Sequence, residues 1–172
     1  MAATNLGCVW KKNIQGERKG PLKFPVLFAS GASQAIKQGE LLDLATGTAV
    51  PLASDKAMTA GIIAIACSEL KSGDLAGYYD VIIPTPGDIF EMALAAAANP
   101  SPGASLYFST SQILATSGSN VLGFVCDPSI VPIQDAFASV NPAFDVGTTM
   151  RTVSSVLFTI KNANSYFSLL QG

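Results

Sequence analysis

One tetrapeptide in the chain, Ser68-Glu69-Leu70-Lys71, has the spacing at which a lysine could take the proton of a serine. That chemistry needs both side chains on one helical face, with S-D-N and K-T-G elements elsewhere. Here the tetrapeptide leaves an apolar run and enters the loop Lys71-Ser72-Gly73-Asp74, and neither companion element occurs. Histidine is absent, which removes the usual general base, the commonest metal ligand and every histidine-dependent triad. The three cysteines, Cys8, Cys67 and Cys126, lack the short paired spacing of a thiolate metal site. Cys67 and Cys126 each end an apolar run and read as buried thiols acting as small hydrophobes. No glycine loop closes on Lys-Ser/Thr and no G-x-G-x-x-G follows a strand, so phosphate and dinucleotide cradles are missing. Asp88 and Glu91 sit on a strand pattern, where an odd separation points them to opposite faces. Both, like Asp80, are expected at solvated positions. The residue types predict no catalytic site, no metal and no cofactor, and so a protein that is not an enzyme.

The elements that would position any site are strands. Phe24 to Ala29 is a short apolar run whose Pro25 suits a strand start or an edge. Glu40–Leu44 and Ala49–Leu52 flank Thr46-Gly47, a hairpin tip, and Ala60–Cys67 reads as a buried strand. Tyr78–Ile83 and Asp88–Leu94 are separated by Pro84-Thr85-Pro86-Gly87, a turn. Ser105–Phe108, Gln112–Ala115 and Val121–Cys126 follow, with Arg151–Ile160 and Tyr166–Leu170 as the last two strands. Ala93–Ala98 favours helix by composition, but Asn99-Pro100-Ser101-Pro102-Gly103 stops it. Strands at intervals of about eight to twelve residues, jointed by Gly, Pro, Ser and Asn, predict a mainly β sandwich or barrel. No repeat of fixed period is visible. Three segments result: an extended basic arm over 1–21, a β-rich core over 22–127, and an irregular excursion with C-terminal strands packing on the core over 128–172.

Composition places the chain among assembly subunits. Of 172 residues, 49% are hydrophobic and only 13% charged, so its surface cannot be as ionic as that of a typical soluble monomer. Large uncharged surface usually marks contact sites. The net charge of −2 is too small to imply nucleic acid as a partner. Its distribution is uneven. Up to residue 23 five basic residues (Lys11, Lys12, Arg18, Lys19, Lys23) face one acid, Glu17; beyond it five basic residues face eleven acids. A basic arm on an acidic body either stays solvated or lies along an acidic partner surface. Trp10, the single tryptophan, either folds back on the body or anchors the arm in a partner's pocket. No apolar h-region follows Lys11-Lys12 and no run of about 18 apolar residues occurs, so neither secretion nor a membrane span is expected.

From residue 37 to 126, roughly half the chain, the motifs resemble those of the small decoration, or cement, proteins of tailed-phage capsids of the broad lambda-like class. Lys37-Gln38-Gly39-Glu40-Leu41-Leu42 is a turn delivering a strand, and Thr59 to Ala66 the strand that follows. Tyr79 to Glu91 resembles the central strand pair that ends in F-E, Gly103-Ala104-Ser105-Leu106-Tyr107 the G-x-x-L-Y element, and Val121 to Val125 the closing G-x-V strand. The resemblance implies a small β-barrel or β-tulip domain, often trimeric, that stabilises an expanded head from outside. Its partners would be the major capsid protein and further copies of itself, and its place the virion exterior after synthesis in the host cytoplasm. The family's N-terminal segment orders on the capsid by adding strands to capsid-protein edges. By that likeness Trp10, Lys11, Lys12, Arg18, Lys19 and Lys23 are the expected capsid-binding residues, and deleting 1–21 is expected to spare the fold while abolishing binding. Another virion component, such as a neck, tail-tube or fibre-base protein, is the alternative. The chain departs from the family in its extension past residue 127.

Overall fold

The computed structural model describes residues 7–14, 20–44, 46–53, 63–94, 100–109, 112–127 and 154–161. Every helix-or-strand element among them is a strand, because short β-branched and aromatic runs are punctuated by turn residues before any helical stripe can develop. In order they are β1 (Val9–Asn13), β2 (Lys23–Phe28), β3 (Leu41–Asp43), β4 (Thr48–Pro51), β5 (Ile63–Ala66) and β6 (Gly77–Ile82). There follow β7 (Asp88–Leu94), β8 (Ser105–Ser109), β9 (Ile113–Ala115), β10 (Val121–Val125) and β11 (Ser154–Ile160). Ten of these match strands expected from the sequence. The exception is β1, which falls inside the expected arm. The strand expected at 166–170 and the excursion over 128–153 lie outside the described residues.

The strands make two small closed barrels of five strands each. The first runs β2-β4-β3-β5-β6 and back to β2. The second runs β7-β11-β10-β8-β9 and closes through the single parallel pair Leu94–Leu114, with β1 added to β7. Closure removes the open edges of the ring strands, and β1, paired with β7, is the edge strand of the second sheet. The strand expected to pack on the core as an extension, β11, is instead a stave of the second barrel: it sits between β7 and β10.

The two barrels share one wiring. In each, the first strand pairs parallel with the third (β2–β4, β7–β9), and every other contact is antiparallel. The first three strands begin at residues 23, 41 and 48 in one barrel and 88, 105 and 113 in the other, an offset of 64 or 65 residues. Backbone hydrogen bonds repeat one for one. Gly39 N donates to Ala66 O as Gly103 N does to Val125 O, and Cys67 N donates to Asp80 O as Cys126 N does to Leu157 O. Glu40 N closes its turn on Lys37 O as Ala104 N does on Ser101 O. Gly39 and Gly103 both hold positive φ, at 81° and 84°, a conformation in which glycine alone carries no steric cost. The chain is therefore a tandem pair of one barrel motif.

The barrels are joined by shared core. Val26, Phe28, Leu42, Ala64 and Val81 fill the first barrel. The second is filled by Phe90, Met92, Leu94, Leu106, Phe108 and Phe158, but Leu41, Leu52, Ile63 and Ile65 of the first barrel belong to the same cluster. Alternation explains this: side chains along β3 and β5 point in turn into their own barrel and outward to its neighbour. Burying each such side chain stabilises the joint by about 1.5–3 kcal/mol.

Candidate functional site

The expected capsid-binding residues begin in β1, and there the structure gives a definite answer on Trp10. It folds back on the body: its ring packs against the second barrel's core and its Nε1 donates to Asp88 Oδ1 at 3.0 Å. Asn13 Nδ2 donates to the same oxygen at 2.9 Å, while Thr85 N and Oγ1 each donate to Oδ2 at 2.8 Å. Asp88 thus closes the Pro84–Gly87 turn and holds β1 at the same time. Burial works against its charge, but the hydrogen bonds from Trp10, Asn13 and Thr85 outweigh it and hold the carboxyl below the ordinary aspartate value.

Lys11 is also turned inward. The β1–β7 register shifts between Trp10 and Lys12, so Lys11 is the extra residue of a bulge. Its Nζ lies 3.4 Å from Glu91 Oε2, with the two side chains 9% and 0% exposed, and Ser155 Oγ donates to Glu91 Oε1 at 2.8 Å. The expectation that Asp88 and Glu91 are solvated is therefore wrong. They do point to opposite faces of β7, but each is buried against partners at least 60 residues away in sequence. Asp80 is exposed, as expected. Of the other expected contact residues, Lys12 is half-buried on β1 and Lys23 is exposed at the start of β2, while Arg18 and Lys19 lie outside the described residues.

The path of β1 is set by a glycine pair. Cys8 N donates to Gly39 O at 2.7 Å, and a Cβ on Gly7, whose φ is +74°, would stand 2.7 Å from the Gly39 carbonyl. Residues 7–13 therefore run from the first barrel's Gly39 turn to β7 of the second. Deleting residues 1–21 would remove β1 along with the arm, and with it the Trp10, Lys11 and Asn13 contacts to β7.

Gln112 braces the other side of the joint. Its Oε1 accepts from Leu41 N at 2.8 Å, and its Nε2 donates to Leu52 O at 2.9 Å and to Leu41 O at 3.3 Å. At φ 55° it is the one non-glycine residue with positive φ among those described, at the position equivalent to Gly47 in the first barrel. Nothing in the sequence marked it.

Between β1 and the first barrel lies a cleft of about 560 Å³. Val9, Trp10, Ile65 and Ile82 form its apolar walls, Cys8 and Cys67 bring two thiols, and Lys23 and Gln38 supply the polar groups. Burial pushes the Cys8 thiol well up; the Cys67 thiol is also raised, by burial first, with Lys23 opposing and Asp80 reinforcing the shift. Both thiols are protonated near neutrality and are poor nucleophiles. Cys67 and Cys126 are only half-buried, against the expectation of full burial, while Cys8 is buried. The Ser68–Lys71 pair does not assemble: Lys71 is exposed, with its Nζ 3.8 Å from Glu69. Among the described residues no group of three or more His, Cys, Asp or Glu is placed to hold a metal.

An exposed apolar patch lies on the outer face of the first barrel. Leu27 and Tyr78 face each other across the β2–β6 ladder, and Leu75 precedes β6. They are 37%, 74% and 82% exposed. No family model matches the chain, and neither a curated protein nor a solved structure does.

Proposed function

We propose that this chain is a structural virion protein that binds the outer surface of a phage capsid as a homotrimer and stabilises the expanded head. The observation that carries the contact role is the exposed Leu27–Tyr78 pair on the β2–β6 ladder, with exposed Leu75 in the loop before β6, since exposed tyrosine and leucine suit an interface core. The capsid as partner rests on the decoration-protein likeness, whose motifs fall on turn–strand units of both barrels. Gly39 and Gly103 deliver β3 and β8, the F-E pair lies in β7, and the G-x-V segment is β10. With Trp10 and Lys11 committed to the body, the cations proposed to meet an acidic capsid surface are Lys12, Arg18, Lys19 and Lys23.

The test adds purified protein to expanded, disassembly-prone heads and follows co-sedimentation and head survival. Binding and protection are expected, with light scattering giving a trimer in solution. Leu75→Asp with Tyr78→Asp is expected to abolish trimer formation or head binding, and Arg18→Glu with Lys19→Glu to weaken head binding in a folded protein. Failure to co-sediment with heads would refute the capsid reading. Rings or tubes formed by the isolated protein would favour the neck or tail-tube alternative instead.

A further inference from the structure

We infer that the cleft between β1 and the first barrel binds a small amphipathic anion, a molecule with a compact apolar or aromatic body and one carboxylate or sulfonate. This inference shares Lys23 with the capsid reading, but its ligand and its test require no capsid. A volume of about 560 Å³ falls within the span typical of small-molecule sites, roughly 300–1,000 Å³. Val9, Trp10, Ile65 and Ile82 offer the apolar body a wall on each side.

The charge of the ligand follows from the lining. Among the described residues that line it, Lys23 is the only ionisable group besides the two neutral thiols. Asp80 lies two residues along the β2–β6 ladder from the Lys23–Ile82 pair, opposite Pro25, and its charge reaches Cys67, yet it makes no ion pair with Lys23. A cation at the mouth of an apolar cleft favours an anionic head with its tail inward, and the Gln38 amide can supply a second donor.

Backbone pairing argues against an extended peptide as the occupant. At Cys8 and on the first-barrel wall the main-chain groups that could have received a strand are already engaged: Cys8 N with Gly39 O, Gly39 N with Ala66 O, Ala66 N with Glu40 O, and Cys67 N with Asp80 O. Pro21 has no N–H to offer. Recognition must come from side chains, which suits a small molecule better than an added strand.

Trp10 makes the site self-reporting, because it is the only tryptophan in the chain and it lines the cleft. Titration with 8-anilinonaphthalene-1-sulfonate should give saturable one-to-one binding with energy transfer from Trp10. 4-Phenylbutyrate should displace the dye, and neutral 4-phenylbutanol should do so much less well. Lys23→Gln is expected to weaken both anions about tenfold, the scale of one charge-assisted hydrogen bond. Val9→Phe should block the cleft, and Lys161→Gln, an exposed change on the second barrel, should leave binding unchanged. Circular dichroism melts confirm folding of each variant, and Lys23→Gln, at an exposed position, stands as the test if Val9→Phe does not fold. Non-saturable dye binding, or equal affinity for the acid and the alcohol, would overturn the proposal. So would tighter displacement by the acidic peptide acetyl-Ala-Phe-Asp-Ala-amide than by 4-phenylbutyrate, or cleft-dependent self-association lost in Val9→Phe.

Discussion

Asp88 and Glu91 show how much of this protein rests on single charged groups placed where charge is costly. Asp88 ties a turn to the N-terminal strand through four hydrogen bonds from three residues. Because its folded-state carboxyl titrates below the ordinary aspartate value of 3.8, its contribution is present above that pH and is lost as pH falls through the lowered value. Asp88→Asn should therefore lower stability at neutral pH by about 1.5–3 kcal/mol, the scale of hydrogen bonds to a charged group. The deficit should shrink on acidification below that range. Thermal melts of both proteins across pH 2–7 check this, and a deficit independent of pH would contradict it. Lys11 and Glu91 behave differently, since a buried pair matters most when one member is removed. Lys11→Ala would leave a buried carboxylate with its cation gone, at a cost of about 3–5 kcal/mol. Restoration of most of that loss by adding Glu91→Gln is the expected outcome of the double-mutant cycle, as the surviving amide carries no charge.

At the scale of elements, the strands of the barrels are legible and their partners are not. Branched runs such as Ile63-Ala64-Ile65-Ala66, bounded by turn residues, declare themselves by local pattern. The segment Val9-Trp10-Lys11-Lys12-Asn13 does not, because two of its polar side chains, Lys11 and Asn13, are matched by acids in β7 some 75 to 80 residues on. Read alone, it is a basic arm. The same blindness hides Gln112, whose value lies in three bonds to Leu41 and Leu52 across the joint. Gln112→Ala would strand a buried N–H and a carbonyl at a cost of about 1–3 kcal/mol. In a chain of this size that is a fall in Tm of about 2–4 °C per kcal/mol. Gln112→Gly tests the conformational part, since it relieves the positive φ while still losing the bonds; it should be more stable than Gln112→Ala, and equal melts of the two variants would show that the positive φ carries no cost.

At the scale of the molecule, the described residues form one barrel motif used twice, with the first copy's outer face serving as part of the second copy's core. The repeat escaped the sequence because it survives in pairing rather than in residues: β2 reads Lys-Phe-Pro-Val-Leu-Phe where β7 reads Asp-Ile-Phe-Glu-Met-Ala-Leu. Gly39 with Gly103, where the backbone demands glycine, and Cys67 with Cys126 remain as visible marks. A core that includes Leu41, Leu52, Ile63 and Ile65 together with Phe90 and Phe158 should melt as a unit. Calorimetry is expected to show a single transition with matching calorimetric and van't Hoff enthalpies; two resolved transitions would mean that the barrels are independent. The wiring of the second barrel also sets a timetable. The first barrel is contiguous, Lys23 to Ile82, and can close while the rest is still being synthesised. The second needs β11, between β7 and β10, so its ring stays open until residue 160 has left the ribosome. β1, made before either barrel, then waits for β7 before it has its ladder partner: the earliest of the described strands cannot be seated early.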